Sequence, residues 1–506
     1  MSLADFRDAP WGKSHAAYGK GALAMSPAPE YATSEVVLSS LYRVIGLPGV
    51  NERSVPPQGI RLQALIRKAR ERASKPSNGT LDPDAFDTLL NAVLESPKRS
   101  NQSAKRFLQV TPLVPQLALF SGSPRLAGNP WTPGMLVRRM VWLGSRNRSA
   151  AEATWRYLFE ALAVRDDDDI FARFLQSEVE AWLPEPNWKF VPAPPEAMPD
   201  CPDVGGGAFP ARQFVQDLNS VIAAKDLLTR RQWTSVLEAV LRLGTVAHVI
   251  WLCEVHSRVW TCLSEALNGA GPESAPHARA RMFPDRFSFL PLSNKPLPGI
   301  RDSISRYLTA RLGINATLWA LEEAGATPAD VLGSANGLAE VCDQIRSFCT
   351  GARSSDIRDT VDDLVDRETR TLLCRKGIGS NINEFVTYSL QQRQTANPRL
   401  RGYDQGYLLR KQGPHTNSPW IVSPGPVATI ALVHCSLSGV AGPRSVHRLA
   451  QHLAQYGVAM DHRDIPQNEL GHQLRMLGLV LDSPDAESGM LLVPPFRQNT
   501  TKGASE

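Results

Sequence analysis

"NELGHQLRMLGLVLDSPDAESGMLLVPPF", residues 468–496, carries two different periodicities in one run. Leu470, Leu474 and Leu477 recur at i, i+4 and i+7, the spacing of one helix face. Beyond Gly478, the apolar segments "LVL" and "MLLV" flank an Asp/Ser/Pro/Gly turn, which predicts a β-hairpin. A helix running into a hairpin is either the reading head of a nucleic-acid-binding domain or a packing device of the same shape.

Two more helices are predicted upstream. "PVATIALVHCSLSG" (426–439) starts at a proline, which suits the first helical position, and closes at Gly439. "RSVHRLAQHLAQYG" (444–457) turns Val446, Leu449 and Leu453 inward, with Ser445 placed to cap it and Gly457 to end it.

Three helices followed by a hairpin resemble the winged-helix fold, a variant of the helix-turn-helix, over these seventy or so residues. The resemblance implies that the third helix enters the DNA major groove and the hairpin touches the backbone. Asn468, His472, Gln473 and Arg475 would then face bases, while Arg444, His447, Arg448 and His452 would approach phosphates. The hairpin departs from the pattern, because it holds Asp482, Asp485 and Glu487 and no basic residue between Arg475 and Arg497. Carboxylates repel phosphates, so either the hairpin points away from DNA or the domain binds protein.

Just upstream, "QQRQTANPRLRGYDQGYLLRKQG" (391–413) interleaves Arg393, Arg399, Arg401, Arg410 and Lys411 with Tyr403 and Tyr407. Basic groups can track a phosphate backbone while aromatic rings stack on bases. The plain alternative is a loop whose tyrosines pack on the core. A third basic region lies near the front. "RLQALIRKARERASK" (61–75) is an amphipathic helix whose polar face carries Arg61, Lys68, Arg72 and Lys75.

Charge follows the same division. Net charge over the 506 residues is only +5, yet residues 1–150 hold 20 Lys and Arg against 10 Asp and Glu. Such asymmetry fits an anionic partner. With 42% hydrophobic and 21% charged residues, the chain is ordinary globular material, enough for roughly two to four domains. Seven cysteines, an odd number between Cys201 and Cys435, fit a reducing compartment, and the cytoplasm is expected. Residues 1–33 are aperiodic and read as a flexible arm without a secretory signal. The most apolar run, "VLEAVLRLGTVAHVIWLC" (236–253), includes Glu238, Arg242 and His248, so a buried bundle helix is expected rather than a membrane span.

Catalytic signatures are weak. "APWGKSH" (9–15) ends like a phosphate-binding loop, but Arg7 stands where the opening glycine belongs. "DDDD" (166–169) precedes an apolar-periodic run and reads as a helix start rather than a metal site. His248, Cys253, His256 and Cys262 fall on one long helix, spaced too widely for one tetrahedral ion, and core packing is expected. "VHCSLSG" (433–439) groups a histidine, a cysteine and two serines, but sequence neighbours on a helix point in different directions and no nucleophile is assigned. No strand of the nuclease Glu-x-Lys type follows the stray acidic pairs.

These readings predict a mainly α, multi-domain protein: an arm (1–33), a basic helical domain (34–182), a Pro/Gly-rich linker (183–210), a helical bundle (211–390), a basic and aromatic connector (391–425), the winged-helix-like domain (426–497) and a tail (498–506). The expected function is a non-enzymatic, nucleic-acid-associated accessory subunit, with DNA or another nucleic acid and further proteins as partners and no cofactor or metal. In style the chain is similar to accessory proteins of bacterial DNA-defence or mobile-element systems. The alternatives are a protein-interaction scaffold that docks or dimerises through the winged helix, and an enzyme with a site built from dispersed residues.

Overall fold

The computed structural model describes residues 2–25, 36–50, 76, 78–95, 110–120, 131–184, 186–192, 207–395, 398–400, 402–415, 417–440, 442–482 and 490–496. Among these the protein is mainly α, with eighteen α-helices and seven strands of two or three residues each.

The N-terminal segment is not an extended arm in residues 2–25. It forms α1 (Leu3–Asp8), opened by a capping box between Ser2 and Asp5, and α2 (Ala16–Gly19). Phe6, Tyr18, Leu23 and Met25 are buried. The segment is tied down across the chain: Arg139 Nη2 donates to the Ala22 carbonyl (2.6 Å), and the Tyr307 hydroxyl donates to that of Met25 (2.8 Å). Helices of six and four residues are too short to display a period, so their burial is set by tertiary contacts alone.

Next come α3 (Val37–Gly46), α4 (Pro83–Val93), α5 (Pro133–Gly144), α6 (Arg148–Leu162) and α7 (Ile170–Trp182). A small separate core sits where α4 and α7 meet, with Phe86 stacked on Trp182 at 5.1 Å and Leu90, Leu175 and Val179 around them. The acidic run does start a helix. Asp169 Oδ1 accepts from the Ala172 amide at 3.0 Å, capping α7, and its Oδ2 accepts from the Arg230 amide at 2.8 Å. Asp168 is buried in an ion pair with Lys225 (3.0 Å). Within the expected linker, residues 186–192 lie along the end of α3, where the Val191 amide donates to the Ile45 carbonyl and Trp188 stacks on Phe159. Arg61, Lys68, Arg72 and Lys75 lie outside the described residues.

The middle of the chain supplies α8 (Pro210–Ala223), α9 (Arg230–Leu267), α10 (Ala275–Met282), β1 (Leu290–Pro291), α11 (Leu297–Glu323), α12 (Ala335–Phe348), α13 (Ala352–Arg367), α14 (Thr369–Leu372) and α15 (Gly377–Leu390). At 38 residues, α9 spans about 57 Å and forms the axis of the fold. Thr229 and Gln232 close its start as a capping box. Among the described residues it is the one helix long and apolar enough to cross a membrane, and its most apolar stretch is wholly buried inside the protein. Two glycines let neighbours approach. A Cβ on Gly244 would lie 2.3 Å from the Phe214 ring of α8, and one on Gly313 of α11 would lie 2.5 Å from Trp260 of α9.

The charges that interrupt α9 each have a use. Arg230 donates to the Leu113, Ala161 and Ala163 carbonyls at 2.9–3.1 Å, satisfying the end of α6. Arg242 pairs with Asp404 at 2.8 Å and donates to the Gln391 carbonyl at 2.8 Å. Glu238 accepts from the Val37 and Leu38 amides at the start of α3, where a helix favours an anion, and lies 3.4 Å from Arg393. Arg393, one of the basic residues of the 391–413 stretch, is thus a buried structural cation. His248 and His256 are fully buried, as core packing predicts. The His256 Nδ1 lies 2.7 Å from the Leu252 carbonyl, while neither ring nitrogen of His248 has a hydrogen-bond partner.

At the C-terminal end are β2 (Leu409–Lys411), β3 (Trp420–Val422), α16 (Pro426–Ser436), β4 (Arg444–Ser445), α17 (His447–Gln455), β5 (Val458–Ala459), α18 (Glu469–Met476), β6 (Val480–Asp482) and β7 (Met490–Leu492). β2 and β3 form an antiparallel hairpin, and β1 pairs with β5 in parallel. β4, β7 and β6 make a three-stranded antiparallel sheet in that order, with Arg444 opposite Leu492 and Leu481 opposite Leu491. α16 is buried against α8 and α9, and one continuous apolar core runs from Phe6 to Leu492.

Candidate nucleic-acid interface

The C-terminal unit places its three helices where local signals predict them. Positive φ at Gly439, Gly457 and Gly478 (68–74°) reverses the chain after α16, α17 and α18. Ser445 differs from expectation: it belongs to β4, although its Oγ still accepts from the His447 amide at 3.2 Å. Asn468 caps α18, its side chain accepting from the Gly471 amide at 3.1 Å, so the amide expected to face a base has a helix to start.

The other predicted contacts fall into two sets. Arg444, His447 and His472 are exposed, and Gln473 and Arg448 are half-buried. His447 meets His462 edge to face at 4.6 Å, and Gln451 Nε2 lies 2.8 Å from His447 Nε2. Arg448 Nε donates to the Ser436 carbonyl at 2.5 Å. Arg444, His447 and Arg448 lie on or just before α17, while His472 and Gln473 lie on α18.

In the second set, the chain already engages the charges and rings. Arg475 forms a forked pair with Asp482 at the end of the first hairpin strand (3.1 Å) and donates to the Pro466 carbonyl (2.7 Å). Arg410 pairs with Glu469 at the first turn of α18. Lys411 lies 5.6 Å over the Trp420 ring. Tyr407 is buried against Gly425, where it offers no stacking face, and Tyr403 is half-buried. Arg401 lies outside the described residues, as do hairpin residues 483–489 with Asp485 and Glu487. Residues 426–496 hold four arginines and no lysine against six carboxylates, so the unit carries a net negative formal charge.

Sequence reasoning missed a pocket on this unit. Between α8, α16 and α17 lies a space of about 470 Å³ lined by Gln213, Gln216, Ser438, Arg448, Gln451 and His452 among others. At its base Asp217 is fully engaged. Oδ1 accepts from Gln213 (2.9 Å), and Oδ2 accepts from the Tyr456 hydroxyl (2.7 Å) and lies 3.0 Å from His452 Nε2. Burial pushes the Cys435 thiol well above its ordinary range, and it points to the Asp217 carbonyl at 3.9 Å, so it is a poor nucleophile. α8 and α17 are more than two hundred residues apart in sequence, and no local pattern marks their meeting.

Among the described residues, no three His, Cys, Asp or Glu side chains converge in a way that could hold a metal ion. The chain matches no protein-family model and no curated protein sequence.

Proposed function

We propose that the protein is a nucleic-acid-associated accessory subunit of a cytoplasmic DNA-processing assembly, of the anti-phage defence kind, with its C-terminal unit acting as a winged helix. The observation that carries the reading is the succession of α16, α17 and α18 beside a three-stranded antiparallel sheet of order β4–β7–β6, with β5 between α17 and α18 pairing outside the unit with β1; a winged helix likewise presents a helix beside a hairpin. Arg444 and Arg448 flank the exposed His447 at the start of α17, so the contact surface in this reading is these three residues more than the third helix.

Fluorescence anisotropy with short single- and double-stranded DNA and RNA at low and high salt tests it. Binding that weakens steeply with salt, and more weakly in an Arg444→Ala/His447→Ala variant, supports the reading. No binding at low salt sinks it.

A second reading has its own support. Met476 on α18 and Leu481 on β6 are 74% and 54% exposed, beside the closed Arg475–Asp482 pair. Exposed aliphatic groups next to neutralised charge fit a protein partner. Met476→Asp would abolish that docking and leave nucleic-acid binding intact.

A further inference from the structure

The pocket between α8, α16 and α17 has a chemistry that neither its packing role nor the winged-helix reading uses. Most pockets for small organic ligands are lined by apolar and aromatic groups. This one carries four glutamines, Gln213, Gln216, Gln451 and Gln455, together with serine hydroxyls, a guanidinium and an imidazole. Gln213 and Gln451 are already bonded to Asp217 and His447, but a lipid or an apolar metabolite would strip water from the Gln216 and Gln455 amides without replacing it, which disfavours both.

Charge decides between the polar ligands. Asp217 is the carboxylate of the lining, and it is turned into the protein: Oδ1 accepts from Gln213, Oδ2 accepts from the Tyr456 hydroxyl, and the His452 ring lies 3.0 Å from Oδ2. Arg448 is different. Its Nε is anchored on the Ser436 carbonyl at 2.5 Å, which fixes the plane of the guanidinium, and among the described residues no carboxylate pairs with it. An oriented guanidinium beside amide N–H and hydroxyl donors is a receptor for a planar or tetrahedral oxyanion, and Arg matches phosphate in forked fashion. The volume, about 470 Å³, is several times what inorganic phosphate fills, which leaves room for an organic group against the glutamines.

We propose that this pocket binds a phosphate monoester, with the phosphate on Arg448 and Ser438 and the organic group held by the glutamine amides. The proposal shares Arg448 with the surface discussed above but stands on the pocket's own chemistry. The monoester has two natural sources, a free nucleotide or the 5′-phosphorylated end of a nucleic-acid strand.

Isothermal titration of the full chain with AMP, adenosine, inorganic phosphate, and short single-stranded DNA bearing a 5′-phosphate or a 5′-hydroxyl tests it. AMP is expected to bind with Kd below about 1 mM, with adenosine at least tenfold weaker and phosphate weaker than AMP. Arg448→Gln is expected to lose the preference for AMP over adenosine. Because Arg448 also holds the Ser436 carbonyl, Gln451→Ala serves as a second variant, expected to weaken AMP several-fold while inorganic phosphate binds unchanged. A strand that binds through its 5′-phosphate identifies the strand end as the source; AMP binding without strand binding identifies the free nucleotide, and refutes the nucleic-acid reading alone. Equal binding of AMP and adenosine, no binding of AMP, or unaltered AMP binding in a folded Arg448→Gln protein each overturns the proposal.

Discussion

Acid should unfold this protein through its central helix, and the slope can be worked out. His248 sits at the middle of α9, tilted against Phe209 and parallel to Trp251 at 6.0 Å, with no hydrogen bond to either ring nitrogen. Burial, helped by the Arg139 charge, pushes it down to about 3. Burial likewise brings His256 down to about 4, against the opposing pull of the Leu252 carbonyl. An unfolded histidine titrates near 6.5, so both folded values lie below the unfolded one. Their contribution is fully present above about pH 6.5 and is lost as pH falls towards the folded values. Between about pH 6 and 5 unfolding takes up nearly one proton at each site, and each proton is about 1.4 kcal/mol per pH unit. The pair therefore removes about 3 kcal/mol per unit, a large share of a total that is typically about 5–15 kcal/mol. His248→Phe keeps a ring between Phe209 and Trp251 and cannot titrate, so it should reduce the slope by about 1.4 kcal/mol per unit. Urea unfolding followed by tryptophan fluorescence at a series of pH values measures both slopes. Equal slopes in the two proteins would refute the reasoning.

Three further outcomes are expected. Arg242→Met strands the buried Asp404 carboxylate and should cost about 3–5 kcal/mol, whereas Arg242→Met/Asp404→Leu should cost less than the sum of the single changes in a denaturation double-mutant cycle. Gly313→Ala puts a methyl group 2.5 Å from the Trp260 ring and should destabilise by about 1–3 kcal/mol, with a shifted tryptophan emission; an unchanged unfolding midpoint would contradict the close approach of α9 and α11. Deleting residues 2–25 removes Phe6, Tyr18, Leu23 and Met25 from the core, on the order of 6 kcal/mol or more by burial alone, and should yield insoluble protein on expression beside a soluble full-length control.

What the sequence displays is local. The helix start at the acidic run 166–169 and the stops at Gly439 and Gly457 are readable because each signal lies within a few residues of the element it bounds, whereas Asn468, read as a base contact, turns out to cap α18. Glu238 and Arg242 mark α9 as a helix whose charges must be met inside the protein, but their partners, Arg393 and Asp404, lie more than 150 residues away and leave no trace in any window. Arg410 and Glu469, 59 residues apart, are equally invisible to a local window, so a basic stretch that looks available to phosphate is partly answered inside the chain. The pocket needs α8 beside α17, and the pairing of β1 with β5 rests on two residues in each strand. Periodicity has nothing to register in pieces that short.

The burial of α16 against α8 and α9 also sets the timing of assembly. The central helix ends at residue 267, and the segment that covers part of it starts at 426. On the ribosome about 160 more residues must be made before that cover exists, about 10–30 s at ordinary elongation rates. For that interval Val240, Leu243 and their neighbours lie bare, a natural substrate for a chaperone that holds nascent chains. Premature termination anywhere before α16 would leave that face open for good, so truncated products should be cleared by proteolysis rather than accumulate as smaller folded domains.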